Sequence, residues 1–290
     1  MIRKVAITGG THGNELTGVY LVKKWLQNPD PIRRSTFETL VLHTNPEAIK
    51  ACRRYIDRDL NRAFKLHDLA HPDQCYESQR ACELNALLGP KGSDKTAVDF
   101  ILDLHTTTAA MGLSLVVSNE SDMTWEAVRY LCAHEPDLRV YRWKGDEEDA
   151  FVDSIAPHGF AIEVGPIPQG VLRSDLFFRT ESLVSLLLDF FEKRNRNEPI
   201  PEATQAVTVY DHVSLVDYPR DSEGDIDGMV HEARQDRDFE VIMPGDPLFR
   251  KLDGTEIFYE GEPGLYTLFI NEAAYYEKGF AMTLARKISI

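Results

Sequence analysis

The chain has 290 residues, of which 43% are hydrophobic and 27% are charged, and its formal net charge is −15 at pH 7. These proportions are ordinary for a soluble globular protein, and the length suits one large domain followed by a smaller one. Binding to nucleic acid or to an anionic membrane needs clustered positive potential, so an acidic chain argues against both classes of partner.

The sequence gives no sign of export or membrane insertion. The longest apolar stretch, at 183–191, is too short to span a bilayer, and the N-terminal residues lead straight into a predicted strand without a signal-peptide pattern. The four cysteines have neither C-x-x-C spacing nor the density of a disulfide framework. We therefore expect a cytoplasmic protein.

Residues 5–18, VAITGGTHGNELTG, are the first chemically distinctive stretch. A β-branched apolar run ends at two glycines and a helical pattern begins near Leu16, which predicts strand, tight loop and helix. His12 and Glu15 lie in this loop, and at that spacing their side chains can both reach one ion, at about 2.0–2.2 Å for zinc. Alone, the pattern is more typical of a tight turn with a surface histidine than of a metal site.

The remaining N-terminal pattern predicts a helix-flanked sheet. Helices are predicted at 16–26, 47–52, 77–88, 125–133 and 174–195, and further strands at 37–43, 98–104, 113–117, 139–143 and 159–166. The charged stretch 144–153 is expected to be a mobile loop near the site.

The arginine segment, residues 53–62 (RRYIDRDLNR), places four arginines in ten residues of an acidic protein. Asp57 and Asp59 would neutralise them in a solvated loop, but Ile56 and Leu60 indicate that part of the segment is buried. Arginine binds carboxylates through two parallel hydrogen bonds. The carboxylate-binding interpretation is therefore favoured.

A third metal ligand is expected because a catalytic zinc normally has three protein ligands and one open position. His105 ends an apolar run that suits a buried parallel strand, and such strand ends meet at the carboxyl edge of an α/β sheet. Asp103, on the same strand face, could orient a ligand or simply be solvated.

One carboxylate, Glu163, interrupts the apolar strand predicted at 159–166. An ionised carboxylate in apolar surroundings is costly unless paired, so Glu163 has either a cationic neighbour or a raised pKa. A raised pKa suits a general base, whereas a structural ion pair is equally consistent with this segment alone.

After a linker at 197–202 the composition changes. Short alternating segments predict strands at 207–216, 228–232, 239–242, 255–259, 265–270 and 279–289. We therefore expect a catalytic domain at 1–199 and a β-rich C-terminal domain at 200–290. The other histidines fit no ligand spacing and are interpreted as structural or surface residues: His43, His67, His71, His134, His158, His212 and His231.

Five ordered motifs together closely resemble those of aspartoacylase and its aminoacylase-3 relatives. They lie at 9–18, 55–62, 103–105, 163–173 and 271–276, and the likeness extends to 216–220. That family is similar in turn to zinc carboxypeptidases. The resemblance implies a zinc carboxypeptidase-like α/β fold, in which helices flank a mixed sheet and a smaller β-rich C-terminal domain narrows the entrance.

The resemblance also implies a metal site. One zinc ion per chain would be bound by His12, Glu15 and His105, and Asp59 would orient a ligand. The implied reaction is hydrolysis of the amide bond of an N-acyl-L-amino acid, and the implied partner is therefore that small molecule. Relatives often assemble as dimers or larger, which implies a homo-oligomer.

For the substrate, the resemblance implies five contacts. Glu163 would be the general base and Arg54 would stabilise the oxyanion. Asn61 and Arg62 would bind the α-carboxylate, and Tyr275, from the C-terminal domain, would hydrogen-bond the substrate.

One departure bears on the preferred substrate. Aspartoacylase has an arginine for the aspartyl side-chain carboxylate where this chain has Asp153. A carboxylate there should repel N-acetyl-aspartate, unless Arg142 or Lys144 compensates. The aminoacylase-3 branch, which acts on N-acyl aromatic amino acids, also lacks that arginine, so both substrate classes stay open.

Two other functions remain in view. The chain could instead be a succinyl-amino-acid desuccinylase or a carboxypeptidase, although the C-terminal domain disfavours large substrates. A catalytically inactive small-molecule binding protein on the same scaffold ranks lower. Such a protein would be expected to have lost a ligand or the base, and His12, Glu15, His105 and Glu163 are all present.

Overall fold

The computed structural model describes residues 1–145 and 149–290, and its helices lie mainly in the first two thirds of the chain. They are α1 (Leu16–Gln27), α2 (Pro46–Ala51), α3 (Leu66–Ala70), α4 (Tyr76–Leu88), α5 (Asp122–His134) and α6 (Ser174–Asn195). The strands in this part are β1 (Lys4–Gly9), β2 (Glu38–His43), β3 (Phe100–Thr106), β4 (Gly112–Val117), β5 (Arg139–Arg142) and β6 (His158–Gly165).

The last third of the chain is mainly strand, as predicted. Its strands are β7 (Thr208–Asp217), β8 (Gly228–Val230), β9 (Glu240–Ile242), β10 (Pro247–Lys251), β11 (Glu256–Phe258), β12 (Leu265–Leu268) and β13 (Phe280–Ser289). The sequence pattern did not predict β10 or the five-residue α3.

Ten strands form one mixed sheet in the order β2-β1-β3-β6-β4-β5-β7-β13-β12-β9. The pairs β2–β1, β1–β3 and β3–β6 are parallel, whereas β6–β4 is antiparallel. The predicted mixed sheet is therefore confirmed. A second sheet, in the order β11-β10-β8, lies in the C-terminal third.

The core forms where helices cover the first six strands. Every residue of β3 is buried, which explains its long apolar run. On one face, the rings of Phe100, Phe160 and Phe191 pack together, with centroids 4.8 Å apart for Phe100 and Phe191. On the other face, Leu84 and Leu88 of α4 belong to a separate buried cluster.

Parallel pairing brings the predicted site residues to one edge of the sheet. β1 ends at Gly9, just before the loop with His12, and β3 lies beside it. On the other side of β3, His105 is directly opposite Glu163 of β6. The carboxyl ends of these three strands therefore form a common platform for the site.

The two predicted domains share the large sheet. Tyr141 of β5 pairs with Tyr210 of β7, so the strands of the C-terminal third extend the N-terminal sheet. The boundary at 199/200 stays a prediction. No helix formed by residues 1–145 and 149–290 has the length and apolar character needed to cross a membrane.

The structure describes residues 144–145 and 149–153 of the predicted loop at 144–153. Residues 146–148 lie outside the described residues. The end of the stretch runs into a short 3-10 helix, Val152–Ile155, in which the Asp153 side chain is buried. The expectation of mobility stays untested.

Candidate active site

His12, Glu15 and His105 meet at the platform, and all three are buried. Nδ1 of His12 lies 2.6 Å from Oε1 of Glu15, and Nδ1 of His105 lies 2.8 Å from Oε2 of the same carboxylate. The two Nδ1 atoms are 3.1 Å apart. Two imidazole nitrogens and a carboxylate therefore converge on one point, as the sequence predicted.

The backbone of the loop with His12 and Glu15 turns tightly and packs closely against α2. Gly10 has φ +74°, a conformation that favours glycine. Gly13 passes so close to α2 that an added Cβ would lie 2.0 Å from the carbonyl carbon of Ala48. The Glu15 N–H then donates to the His12 carbonyl at 3.2 Å, which places both side chains on the same side of the turn.

The Nε2 atom of each imidazole lies within hydrogen-bond distance of a further carboxylate. Nε2 of His12 is 3.0 Å from Asp59, and Nε2 of His105 is 2.6 Å from Asp103. The hydroxyls of Thr8 and Thr11 donate to the Asp103 carboxylate at 2.7 and 2.8 Å. When each Nε2–H donates to its carboxylate, the Nδ1 lone pairs face the central point and are free to bind a cation.

The electrostatics of the cluster favour a bound cation. Three carboxylates, those of Glu15, Asp59 and Asp103, are buried here, and the Arg54 guanidinium pairs with two of them, Glu15 and Asp59. Burial opposes the charge of Glu15, but His12 and His105 outweigh it and lower its pKa. Buried carboxylates at this density are costly without counter-charges, and a cation bound between the imidazoles would supply one.

The donor set and its spacing fit zinc. Nitrogen and oxygen ligands at about 2.0–2.1 Å from a tetrahedral zinc lie about 3.3–3.4 Å from one another. The observed separations of 2.6–3.1 Å between the converging atoms approach that value. Two histidines and one glutamate are also a ligand set that catalytic zinc sites use.

Glu163 lies beside this cluster in an environment typical of a proton acceptor. Its Oε2 is buried and has no hydrogen-bond partner in the part of the chain that the structure describes. Burial, reinforced by Glu15 and Glu272, raises the pKa of Glu163 to about 8. Of the two possibilities that the sequence left open, the structure therefore favours a raised pKa.

Arg54 connects the arginine segment to the metal-ligand cluster. Its Nη1 donates to Glu15 at 3.3 Å and its Nη2 donates to Asp59 at 3.0 Å. Burial opposes its charge, but Asp59 and Glu15 outweigh burial and raise the pKa of Arg54, so the guanidinium stays charged. Its buried Nε has no acceptor among the described residues and is available as a donor.

Asn61 and Arg62 follow on the same segment and line the same cavity. The Asn61 N–H donates to Asp59 at 2.9 Å, and its side-chain oxygen accepts from the Val152 N–H at 2.9 Å. The Arg62 guanidinium lies 4.8 Å from the centre of the Phe151 ring. The segment is thus partly buried, as predicted, and directs a guanidinium and an amide into the cavity.

Tyr275 reaches the cavity from the C-terminal third. It lies in a 3-10 helix, Ala273–Lys278, that follows Glu272. The Glu272 carboxylate accepts from the N–H groups of Thr108 and Ala109 at 2.6 and 3.2 Å, which fastens the helix to the loop after β3. Burial raises the pKa of Tyr275, so its phenol stays a neutral hydrogen-bond donor.

The cavity has a volume of about 380 Å³, and six aromatic residues contribute to its wall. Every residue predicted to bind metal or substrate except Glu15 contributes to its lining, and the Phe, Tyr and Trp residues of the lining are Tyr141, Trp143, Phe151, Phe269, Tyr275 and Phe280. The sequence reasoning missed this wall. The sequence held one indication of it. Tyr141 of β5 and Trp143, just after β5, are two residues apart, so their side chains point to the same strand face.

Asp153 lines the cavity, and burial, with Asp103, raises its pKa to about 7. Arg142 and Lys144 instead pair with Asp211 at 2.6 and 3.5 Å, and neither is among the described residues that line the cavity. They therefore do not replace the missing arginine. The lining does include Lys278, which the sequence reasoning missed.

One histidine interpreted as structural also belongs to the cavity. His212 contributes to the lining, and its Nδ1 is 2.9 Å from the Tyr141 hydroxyl. Because His212 is far in sequence from the other site residues, the sequence did not indicate that it lines the cavity.

Family models match most of the chain. A model described as the succinylglutamate desuccinylase/aspartoacylase catalytic domain matches residues 1–191, and one described as the AstE/AspA barrel-sandwich hybrid domain matches residues 205–287.

Similar sequences extend over the full chain. A protein of Trichodesmium erythraeum named "Probable aspartoacylase" is 47% identical, with 100% of this chain and 98% of that protein covered. A Homo sapiens protein named "N-acyl-aromatic-L-amino acid amidohydrolase (carboxylate-forming)" is 44% identical, with 99% and 92% covered.

Solved structures agree with the sequence comparisons. The crystal structure of murine aminoacylase 3 superposes with a TM-score of 0.94 at 44% identity, covering 100% of this chain and 96% of that one. Succinylglutamate desuccinylase of Vibrio parahaemolyticus has a TM-score of 0.68 at 16% identity, which shows a shared fold.

Proposed function

The chain belongs to the succinylglutamate desuccinylase/aspartoacylase family, and from this premise we propose that it is a zinc-dependent amidohydrolase that cleaves N-acyl-L-amino acids into a carboxylate and a free amino acid. The observation that carries the proposal is the convergence of His12, Glu15 and His105 beside a Glu163 oxygen that has no hydrogen-bond partner within residues 1–145 and 149–290. This is the arrangement that metal-assisted amide hydrolysis requires.

His12, Glu15 and His105 would hold the metal, and Asp59 and Asp103 would orient the two imidazoles. When bound, zinc supplies a Lewis acid that polarises a carbonyl and lowers the pKa of water to about 7.

Glu163 would transfer the proton. With a pKa raised by burial it takes a proton from the attacking water and delivers it to the leaving amine. Arg54 would stabilise the oxyanion that develops on the amide carbonyl, because its charge is fixed by Asp59 and Glu15 before the substrate arrives. Losing one such donor commonly raises the barrier by about 3 kcal/mol.

Asn61, Arg62 and Tyr275 would bind the substrate. A guanidinium and an amide on one loop suit the α-carboxylate, and the neutral Tyr275 phenol would donate a further hydrogen bond. These contacts require a free α-carboxylate next to the scissile amide, which favours N-acyl amino acids over amides that lack it.

The cavity favours an N-acyl amino acid with an aromatic side chain. Trp143, Phe269 and Phe280 offer apolar surface, and Asp153 disfavours a second carboxylate. N-acetyl-aspartate is the second candidate, favoured by the presence of Lys278 in the lining and by the printed name of the relative from Trichodesmium erythraeum.

We also propose the predicted division into a catalytic domain at 1–199 and a β-rich domain at 200–290, a cytoplasmic location and a homo-oligomer. The cytoplasmic proposal rests on the four cysteines, none of which forms a disulfide. Size-exclusion chromatography with light scattering measures the assembly.

The test is hydrolysis of N-acetyl-tyrosine by the purified protein before and after removal of metal with a chelator. The proposal expects hydrolysis that stops on chelation and returns when zinc is added at one ion per chain. Full activity in the chelated protein would overturn it, as would zinc binding without hydrolysis of N-acetyl-tyrosine, N-acetyl-aspartate or a succinylated amino acid.

A further inference from the structure

Glu77, in the first turn of α4, is a fully buried carboxylate outside the cavity. Its Oε1 accepts from the Ile56 N–H at 2.7 Å, and its Oε2 accepts from the N–H groups of Asp57 and Arg58 at 3.0 and 3.2 Å. The Asn45 side-chain amide donates to Oε1 at 3.2 Å. These four uncharged donors replace the water that the carboxylate loses on burial.

The three backbone donors lie in the middle of the arginine segment. Residues 54–59, all of which the structure describes, belong to no helix or strand, so the N–H groups of Ile56, Asp57 and Arg58 need acceptors other than those of a helix or sheet. Arg54 lies two residues before the first donor, and Asp59 directly follows the last. Glu77 thus fixes the backbone between the two residues that contact the metal-ligand cluster.

The position of this backbone decides where two side chains point. Arg54 reaches Glu15 and Asp59, and Asp59 reaches Nε2 of His12 and the Asn61 N–H. Hydrogen bonds of this kind weaken steeply when the donor and acceptor lose alignment. A shift of the segment would therefore disturb Arg54 and Asn61 together.

A second metal site is the alternative explanation of Glu77. Asp57, Cys75 and Glu77 each offer a ligand atom within 4.8 Å of the others. However, both oxygens of Glu77 already accept hydrogen bonds from backbone N–H groups, whose positive ends disfavour a cation on the same oxygens. Asp57 likewise accepts from the Tyr76 N–H at 2.8 Å.

We propose that Glu77 is a positioning residue, which acts through the backbone of Ile56, Asp57 and Arg58 to hold Arg54 and Asn61 in the active site. The expected change in kcat/KM rests on the proposed function. The expected change in hydrogen exchange does not depend on any activity.

The first experiment measures hydrogen exchange by mass spectrometry in the full chain. In Glu77→Gln one oxygen becomes an amide NH₂ that faces an N–H donor, so peptides covering 53–62 should exchange at least tenfold faster. Peptides from α5 should be unchanged. The control is Glu83→Gln on the same helix, because Glu83 is largely exposed and pairs only with Arg80 among the ion pairs of the described residues.

The second experiment compares N-acetyl-tyrosine with N-acetyltyramine, which lacks the α-carboxylate. Glu77→Gln should lower the ratio of their kcat/KM values at least tenfold, because Asn61, which would bind the α-carboxylate, loses its alignment. Partial unfolding lowers both values by the same factor and leaves the ratio unchanged. Glu77→Asp should show the same change, because its shorter side chain cannot reach all three N–H groups.

Three outcomes would overturn the proposal. They are unchanged exchange at 53–62 in Glu77→Gln, a uniform loss of protection across the chain in both Glu77 variants, and a second metal ion per chain in the unsubstituted protein that Glu77→Gln loses while it keeps the first. If the unsubstituted protein hydrolyses neither compound, the proposed function fails, and the exchange experiment still decides the role of Glu77.

Discussion

The buried carboxyl group of Asp153 predicts a pH-dependent choice of substrate. Its pKa is raised to about 7, so the group is mostly neutral at pH 6 and mostly ionised at pH 8.5. Only the ionised form repels the side-chain carboxylate of N-acetyl-aspartate. The preference for N-acetyl-tyrosine over N-acetyl-aspartate should therefore rise with pH.

The magnitude follows from the two charges. At a separation of about 6 Å and an effective dielectric constant of about 20, their repulsion is about 2.8 kcal/mol, or roughly a hundredfold in rate. With a pKa of about 7, the neutral fraction falls from about 0.9 at pH 6 to about 0.03 at pH 8.5. The ratio of the two kcat/KM values should then increase about twentyfold over this range.

The assay measures kcat/KM for both substrates at pH 6 and pH 8.5. Taking the ratio cancels the titration of Glu163 and of any bound water, because both substrates share those groups. Asp153→Asn should abolish the pH dependence of the ratio. Asp137→Asn, at a side chain that is 81% exposed, is the matched control and should behave as the unsubstituted protein. A ratio that stays constant with pH, or that keeps its pH dependence in Asp153→Asn, would refute the reasoning.

Two further variants test the proton acceptor and the attachment of the C-terminal third. Glu163→Gln should lower kcat by about 10²–10⁴-fold with bound zinc unchanged, since an amide cannot accept the proton; an active variant would remove Glu163 from the mechanism. Glu272→Ala leaves the half-buried N–H of Thr108 without its acceptor, at about 1–3 kcal/mol, and leaves the N–H of Ala109 with the Thr107 hydroxyl as its acceptor. Urea unfolding should therefore show a lower midpoint. KM should also rise, because the helix that carries Tyr275 is held less firmly, and an unchanged midpoint would contradict the assigned contacts.

The metal-ligand cluster could be predicted because local rules place each part of it. Glycines after an apolar strand predict a tight loop at His12 and Glu15, and His105 ends a strand that is buried on both faces. Parallel strands then bring their carboxyl ends together. The raised pKa of Glu163 was also open to prediction, since a lone carboxylate in an apolar strand has few alternatives.

The aromatic wall and Glu77 could not be predicted, because they depend on contacts between distant segments. Tyr141, His212 and Phe269 come from separate elements that meet only when β5 pairs with β7. Glu77 looks like an ordinary acidic residue in the first turn of a helix, which favours such residues for electrostatic reasons. Its partners in the arginine segment lie 19 to 21 positions earlier and carry no pattern of their own.

The central claim is that three side chains bind one metal ion next to Glu163. The most direct test is a crystal structure of the zinc-loaded protein, with anomalous diffraction recorded on both sides of the zinc absorption edge. The account predicts a single strong anomalous peak within about 2.3 Å of Nδ1 of His12, Nδ1 of His105 and a Glu15 oxygen. A zinc peak elsewhere, with His12 and His105 uncoordinated, would contradict it.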